Sequence, residues 1–347
     1  MSVGTEARMF ASMHARTTSA NSMRADIPMH ADTQMPLRIV RAYDAAEGIR
    51  SFELALPDGT ELPPFTPGSH VKVQVPNGAV RKYSLCGDPA ERHRYRIAVK
   101  REAGGQGGSI SLCDDAQEGD TLPVSLPDNA FPLVDNARGY IFVAGGIGIT
   151  PILSMIRSFG ELPPAPWKLY YLTRSPRTTA FLDELGAPEF RNHVRIHHDH
   201  GDPEKGFDLW PVFERPLPGT HIYCCGPRGL MEAVRDMTGH WSTRQVHFES
   251  FAGAGEVRPD DKPFRVVVAS SGLRFEVPVG GTILAALREH GCNVPSSCES
   301  GTCGTCRTRL LAGEADHRDM VLLPEEQGDQ IMVCVSRAKS AELTLDL

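Results

Sequence analysis

No long basic run crosses this 347-residue chain, and its formal net charge is −7. A nucleic-acid ligand needs a row of cations facing its phosphates, so nucleic acid is excluded as the main partner. Long uninterrupted apolar runs are absent too: the longest stretch, Tyr140 to Ile156, is broken by Gly145, Gly146, Gly148 and Pro151 and is bounded by Arg157. That pattern does not span a bilayer. The start of the chain lacks a basic segment followed by an apolar one, so secretion is not expected and a reducing cytoplasm is the expected compartment. Nine cysteines are few for this length, and Cys292, Cys298, Cys303, Cys306 and Cys334 all crowd toward the C-terminus. Such clustering suggests metal ligation and not a disulfide scaffold.

What is present is ordinary globular composition, 41% hydrophobic and 23% charged, in a length that predicts two or three domains. Residues 1–36 are rich in Ala, Ser, Thr, His and Met, show no helical or strand period, and are expected to be a disordered extension. Six of the eleven methionines fall there, so a misassigned start is an equal reading. From Leu37 short strand-like runs follow, Ser51–Leu56, Ser69–Val75 and Tyr95–Val99, separated by turns such as Pro57-Asp-Gly59. They predict an antiparallel β-barrel over residues 37–136. Over 137–252 apolar strands (Tyr140–Ala144, Leu169–Leu172, His221–Cys225) alternate with helix-period stretches (Pro151–Phe159, Ala180–Leu185, Leu230–Val234). The alternation predicts an α/β parallel-sheet nucleotide-binding domain. Residues 253–262 read as a linker, and 263–347 begin with a hairpin, Phe264–Val268 and Arg274–Val277, and a helix from Thr282 to His290.

Cys298-x4-Cys303-x2-Cys306, with Cys334 after twenty-seven further residues, has the spacing of plant-type 2Fe–2S ferredoxins. One loop must wrap three thiolates around two irons, and Gly301 and Gly304 give it the required φ freedom. A zinc site normally pairs two short Cys-x2–4-Cys hooks, which this pattern is not. Cys292 is read as a packed thiol.

Alternation along Arg81-Lys82-Tyr83-Ser84-Leu85 places Arg81, Tyr83 and Leu85 on one side of a strand. Arg81 can pair with a phosphate, Tyr83 can lie against an aromatic ring system, and Ser84 can hydrogen-bond a ring nitrogen; an exposed strand without a ligand is the plainer alternative. The run Gly104-Gly105-Gln106-Gly107-Gly108-Ser109 opens a helix and offers backbone N–H groups to an anion, with a flexible surface loop as its alternative. Gly145-Gly146-Ile147-Gly148-Ile149-Thr150-Pro151 follows a strand and precedes a helix, the setting of a dinucleotide site, although it lacks the usual Rossmann spacing. Cys225-Gly226-Pro227 ends another strand at the same sheet edge.

In this order, and together with His247-Phe248-Glu249-Ser250-Phe251, these motifs resemble those of the phthalate dioxygenase reductase family, the class IA reductases of Rieske oxygenases. The resemblance covers residues 37–347. It implies a multidomain chain: an antiparallel β-barrel flavin domain, an NAD domain and an α+β ferredoxin domain of β-grasp type. It implies FMN, with Arg81, Gln106, Gly107, Gly108 and Ser109 around its phosphate. Lys82, Tyr83 and Ser84, with Ser84 near flavin N5, and Ala98, Val99 and Lys100 would line the ring. Gly145, Gly146, Gly148, Thr150, Pro151, Arg174, Ser175, Gly226 and Pro227 would serve the pyridine nucleotide, with Cys225 and Phe251 beside the nicotinamide. It further implies a relay from NADH through flavin and cluster to a Rieske-type terminal oxygenase for a phthalate-like aromatic substrate. A monomer without a membrane partner is expected.

One departure stands out. In Tyr171-Leu-Thr-Arg174-Ser175-Pro-Arg177, Ser175 occupies the position of the family's acid, and Arg177 can attract a 2′-phosphate, so NADPH stays open beside NADH. A free-standing flavin reductase or oxidase would not need the cluster, and an iron–sulfur sensor would need a regulatory module. His197-His198-Asp199-His200 is read as a strand-end polar network, and Cys224 as structural, because adjacent cysteines bond only with strain.

Overall fold

The computed structural model describes residues 34–160, 163–251 and 257–347. The first sheet contains β1 (Gln34–Ala46), β2 (Ile49–Ala55), β3 (His70–Gln74), β4 (Val80–Ser84), β5 (Tyr95–Lys100) and, after helix α1 (Gly108–Asp115), β6 (Thr121–Ser125). Their order is β4-β3-β6-β1-β2-β5, every pairing is antiparallel, and a bridge from Leu85 to Ile97 closes the barrel. Alternation drives it: His70-Val71-Lys72-Val73-Gln74 sends Val71 and Val73 into a core with Leu37, Ile39, Phe52, Leu54 and Ile97, while Lys72 stays outside. Each such buried aliphatic contributes roughly 1.5–3 kcal/mol.

The second sheet holds β7 (Gly139–Gly145), β8 (Trp167–Thr173), β9 (Val194–His198), β10 (Thr220–Cys225) and β11 (Val246–Glu249), parallel throughout in the order β11-β10-β7-β8-β9. Helices α2 (Ile149–Arg157), α3 (Leu182–Leu185), α4 (Trp210–Phe213) and α5 (Arg228–Met237) connect the strands. As both faces are covered, β7 is buried along its whole length. The third sheet is mixed, β13-β12-β18-β14-β16, built from β12 (Phe264–Val268), β13 (Arg274–Val277), β14 (Arg307–Ala312), β16 (Gln330–Met332) and β18 (Glu342–Asp346). The pair β15 (Ala315–Asp316) and β17 (Arg337–Ala338) stands apart, and α6 (Ile283–Glu289), capped by the Thr282 hydroxyl accepting from the Ala285 N–H, packs its apolar face on the sheet.

The barrel and the parallel sheet share one apolar cluster, in which Ile49, Cys86 and Ala98 meet Phe142, Ile149, Tyr171 and Cys225. This continuity sets the C-terminal edge of the parallel sheet against the barrel, where ligands of open α/β sheets bind.

Three expectations are corrected. The extension expected over 1–36 ends sooner, because β1 begins at Gln34, whose segment pairs with Thr121–Ser125; the rest lies outside the described residues. The linker expected over 253–262 is not free beyond Glu256: the buried Asp261 side chain is gripped by Arg318 and faces Arg337 at 3.7 Å, fixing that stretch to the third unit. Residues 253–256 lie outside the described ones. The helix expected from Ala180 starts at Leu182, because Phe181 takes a left-handed conformation, φ 58°.

Candidate functional site

Strand β4 supplies the barrel side of the site. Arg81 donates from Nη2 to Gln106 Oε1 at 3.0 Å and runs beneath the N-terminus of α1. A Cβ on Gly108 would fall 2.8 Å from Arg81 Nε, so only glycine lets arginine and helix N-terminus converge. Gly107 caps that helix at φ 81°, and the Ser109 hydroxyl accepts from the Glu102 N–H at 3.1 Å, bracing the loop. A cation and first-turn N–H groups together suit one phosphate. Tyr83 Oη is buried without a hydrogen-bond partner, and desolvation pushes its pKa well up, so it awaits a polar partner beside that cradle. The residues therefore fit a flavin mononucleotide.

Three further side chains of the expected flavin site have partners within the protein. Val99 points into the barrel core, with its carbonyl accepting from Cys113 Sγ at 3.8 Å, and Lys100 is exposed and paired with Glu102 at 2.7 Å. The Lys82 ammonium donates to the carbonyl oxygen of Cys298 at 3.2 Å and so reaches the cysteine loop. Ala98 does lie at the junction, in the cluster that contains Cys225.

On the sheet side, Cys225 of β10 and Glu249 of β11 are register partners, so their side chains stand side by side. Ser84 reaches across from β4 and donates to Glu249 Oε2 at 3.4 Å. Desolvation raises the Glu249 carboxyl to about 8, against the Ser84 hydrogen bond that lowers it. Burial likewise drives the Cys225 thiol upward, with Glu249 adding to it, so Cys225 is a neutral thiol and not a nucleophile. Sequence reasoning missed Glu249, although it stands inside the quoted His247–Phe251 string; the signal was an acid in an otherwise apolar strand end. His70, paired with Ser84 in the β3–β4 register, was also missed; its Nε2 is buried without a partner and its pKa is lowered to about 4, chiefly by desolvation.

The glycines at the sheet edge serve two purposes. A Cβ on Gly148 would lie 2.1 Å from the Cys225 carbonyl oxygen, and one on Gly226 would lie 2.9 Å from the Gly145 Cα, so these let two loops interlock. Gly146, at φ 53° with nothing within 4 Å of a Cβ, faces open space where a phosphate can approach. The Thr150 hydroxyl is spent on Ile147 O at 3.0 Å, and Pro151 and Thr150 are buried in the first turn of α2. Pro227 packs against Gly145. Phe251 is 44% exposed.

At the outer strand end, Ser175 hydrogen-bonds Thr178 and caps a single turn, while Arg177 pairs with Glu47 of the barrel at 2.9 Å. Arg174 is exposed, with its carbonyl accepting from the His200 N–H. In the neighbouring histidine run, His198 contacts Thr173 Oγ1 and His197 contacts Lys205 O.

In the third unit the cysteines come as two contacting pairs, Cys298 with Cys303 and Cys306 with Cys334. The Cys303 thiol, together with the N–H groups of Ser300 and Thr302, lowers the Cys298 pKa, which favours a thiolate there. Cys306 and Cys334 are buried and Cys303 is exposed. Two such pairs would offer two thiolates to each of two irons. Glu299, Gly301 and Gly304 all adopt positive φ, and a Cβ on Gly301 would strike Val335 Cγ2 at 2.6 Å. Cys292 packs against the core of that unit.

Comparison with known proteins decides the family. Residues 266–339 match the 2Fe-2S iron-sulfur cluster binding domain, and residues 142–236 match the oxidoreductase NAD-binding domain. Phthalate dioxygenase reductase of Burkholderia cepacia is 57% identical, over 91% of this chain and 98% of that one. The phthalate 4,5-dioxygenase oxygenase reductase subunit of Pseudomonas putida is 56% identical, over 90% and 96%.

The chain belongs to the phthalate dioxygenase reductase family.

A solved phthalate dioxygenase reductase, described as a modular structure for electron transfer from pyridine nucleotides to 2Fe–2S, superposes with a TM-score of 0.71 at 57% identity, covering 91% of this chain and 98% of that one. The reductase is thus an oxidoreductase with an NAD-binding domain and a 2Fe–2S domain, and it serves an oxygenase. Among the described residues no helix is long and apolar enough to cross a membrane.

Proposed function

We propose that this reductase draws electrons from NADH through FMN to its 2Fe–2S centre and hands them to a Rieske-type terminal oxygenase acting on a phthalate-like aromatic acid. The observation that carries the reading is the meeting of three units on one strand: Arg81 at the phosphate cradle, Lys82 on Cys298 O, and Ser84 on Glu249. When bound, the flavin supplies the exchange between two-electron hydride chemistry and one-electron transfer. Ser84 and the Glu249 carboxyl hold polar contacts at the hydride end, and Cys225 presents a small neutral wall against which a nicotinamide can lie. Arg81 and the first turn of α1 hold the single phosphate. Cys298, Cys303, Cys306 and Cys334 would hold the cluster.

Glu47 pairs with Arg177 at 2.9 Å, which weakens the pull of Arg177 on a 2′-phosphate and leans toward NADH. The relatives' names support phthalate as the substrate class of the partner enzyme. The reading divides the chain at 136/137, with the ferredoxin unit tied down from Arg258 onward, and takes it to be a cytoplasmic monomer. Chromatography of acid-released flavin tests the cofactor: FMN is expected, and FAD would refute the single-phosphate cradle. Reconstitution with a phthalate-hydroxylating Rieske oxygenase tests the partner, with NADH-driven product formation expected and none overturning it.

A further inference from the structure

The cysteine loop of the third unit rests on two different supports. On one side, Lys82 of β4 donates to Cys298 O at 3.2 Å across 216 sequence positions. On the other, Met320 packs against the apolar cluster of the parallel sheet, which contains Ile141, Val143 and Met231 with Leu230 and Phe248 against it. Met320 belongs to the cysteine loop's own scaffold, since its N–H donates to Gly301 O at 2.9 Å. A polar pin thus meets the barrel and an apolar pin meets the nucleotide unit.

The polar pin has a charged setting. The Lys82 charge lies close enough to lower the Glu299 and Glu249 carboxyls, and its cross-strand partner is Lys72. Arg288 and Ser296 hold Glu299 from the ferredoxin side. An ammonium donating to a carbonyl in the field of the Glu299 carboxylate is a charge-assisted contact that arginine can reproduce and methionine cannot.

We propose that Lys82 is a positioning residue for electron exit: its ammonium latches the Cys298 end of the cluster loop onto the strand that carries the flavin, with Met320 as the second pin. The proposal rests on the relay reading. Electron tunnelling falls off exponentially with distance, so a latch that shortens the flavin-to-cluster gap acts on that step and not on hydride arrival. Its positive charge beside Cys298 also favours the reduced, more negative cluster.

The test compares holoenzyme of wild type, Lys82→Met, Lys82→Arg and Met320→Ala. Anaerobic stopped-flow absorbance separates flavin reduction by NADH from cluster reduction, potentiometry reads the cluster, and small-angle X-ray scattering reads domain separation. Lys82→Met is expected to slow cluster reduction at least tenfold relative to flavin reduction, lower the cluster potential and enlarge the radius of gyration. Lys82→Arg is expected to restore all three. Met320→Ala is expected to slow cluster reduction and enlarge the particle without moving the potential. Wild-type behaviour of Lys82→Met in rate, potential and scattering overturns the latch. Loss of bound flavin from Lys82→Met with unchanged scattering also overturns it, because Lys82 would then serve the flavin. Wild-type protein in which NADH reduces no cluster overturns the relay itself, and is told apart by involving no variant.

Discussion

Ser84 Oγ donates to Glu249 Oε2 at 3.4 Å, joining the last residue of a barrel strand to the last residue of an edge strand in the parallel sheet. Each residue ends its own strand because the chain must turn away there, so the contact forms where two strand ends abut. The pair links the barrel to the sheet edge at the place where the proposed relay would bring flavin and nicotinamide together.

Glu249 carries a pH prediction. Its carboxyl is raised from 4.5 to about 8 in the fold, so between those values the folded chain binds more protons than the unfolded one. Stability contributed by this group is full below about pH 4.5, falls as pH rises through the interval, and levels off above 8. Chemical denaturation of wild type and Glu249→Gln from pH 5 to 9 checks this: the substitution is expected to flatten the decline, and parallel curves would refute it.

Cysteine substitutions separate ligands from packing. Cys306→Ser is expected to abolish the cluster's visible absorbance while NADH still bleaches the flavin, because the Cys306–Cys334 pair is broken. Cys292→Ala is expected to keep full iron and sulfide content, since Cys292 only packs against the hydrophobic core. Iron and sulfide assays on the purified variants check both.

Glycine substitutions distinguish three reasons for glycine. Gly148→Ala forces a Cβ to within 2.1 Å of the Cys225 carbonyl oxygen and is expected to destabilise the chain by about 1–3 kcal/mol or more. Gly108→Ala meets the Arg81 side chain at 2.8 Å, which can swing aside, so the fold is kept and flavin affinity falls about tenfold or more. Gly104→Ala meets nothing within 4 Å and is expected to stay within about 0.5 kcal/mol of wild type. Thermal unfolding and flavin titration resolve the three.

Coenzyme choice follows the Arg177–Glu47 pair. Both side chains are exposed, 82% and 58%, so the pair is weak, on the order of 0.2–1 kcal/mol. Glu47→Gln is expected to raise kcat/KM for NADPH relative to NADH by roughly two- to fivefold, with the gain shrinking in high salt. An unchanged ratio would show that Arg177 lies away from the adenosine end.

The architecture was readable because period-2 runs such as His70–Gln74 and buried runs such as Tyr140–Ala144 announce their own sheets. The 2Fe–2S domain was readable because three cysteines stand in one loop at tight spacing. Glu249, His70 and Met320 were not, since each acquires its role from a neighbour more than ten residues away in sequence or in another unit. The Lys82 contact with Cys298 was not legible, because the two residues lie in different units and 216 positions apart. The Arg177–Glu47 pair was not legible, because sequence alone does not show that the β1–β2 turn brings Glu47 to Arg177.

The account's central claim is a relay within one chain, and anaerobic titration of the purified protein with NADH, followed by visible absorbance and EPR, tests it most directly. Bleached flavin accompanied by a rhombic signal of the reduced 2Fe–2S centre is the predicted result. Flavin bleaching in iron-replete protein without any cluster signal would contradict it and reduce the chain to a flavin reductase.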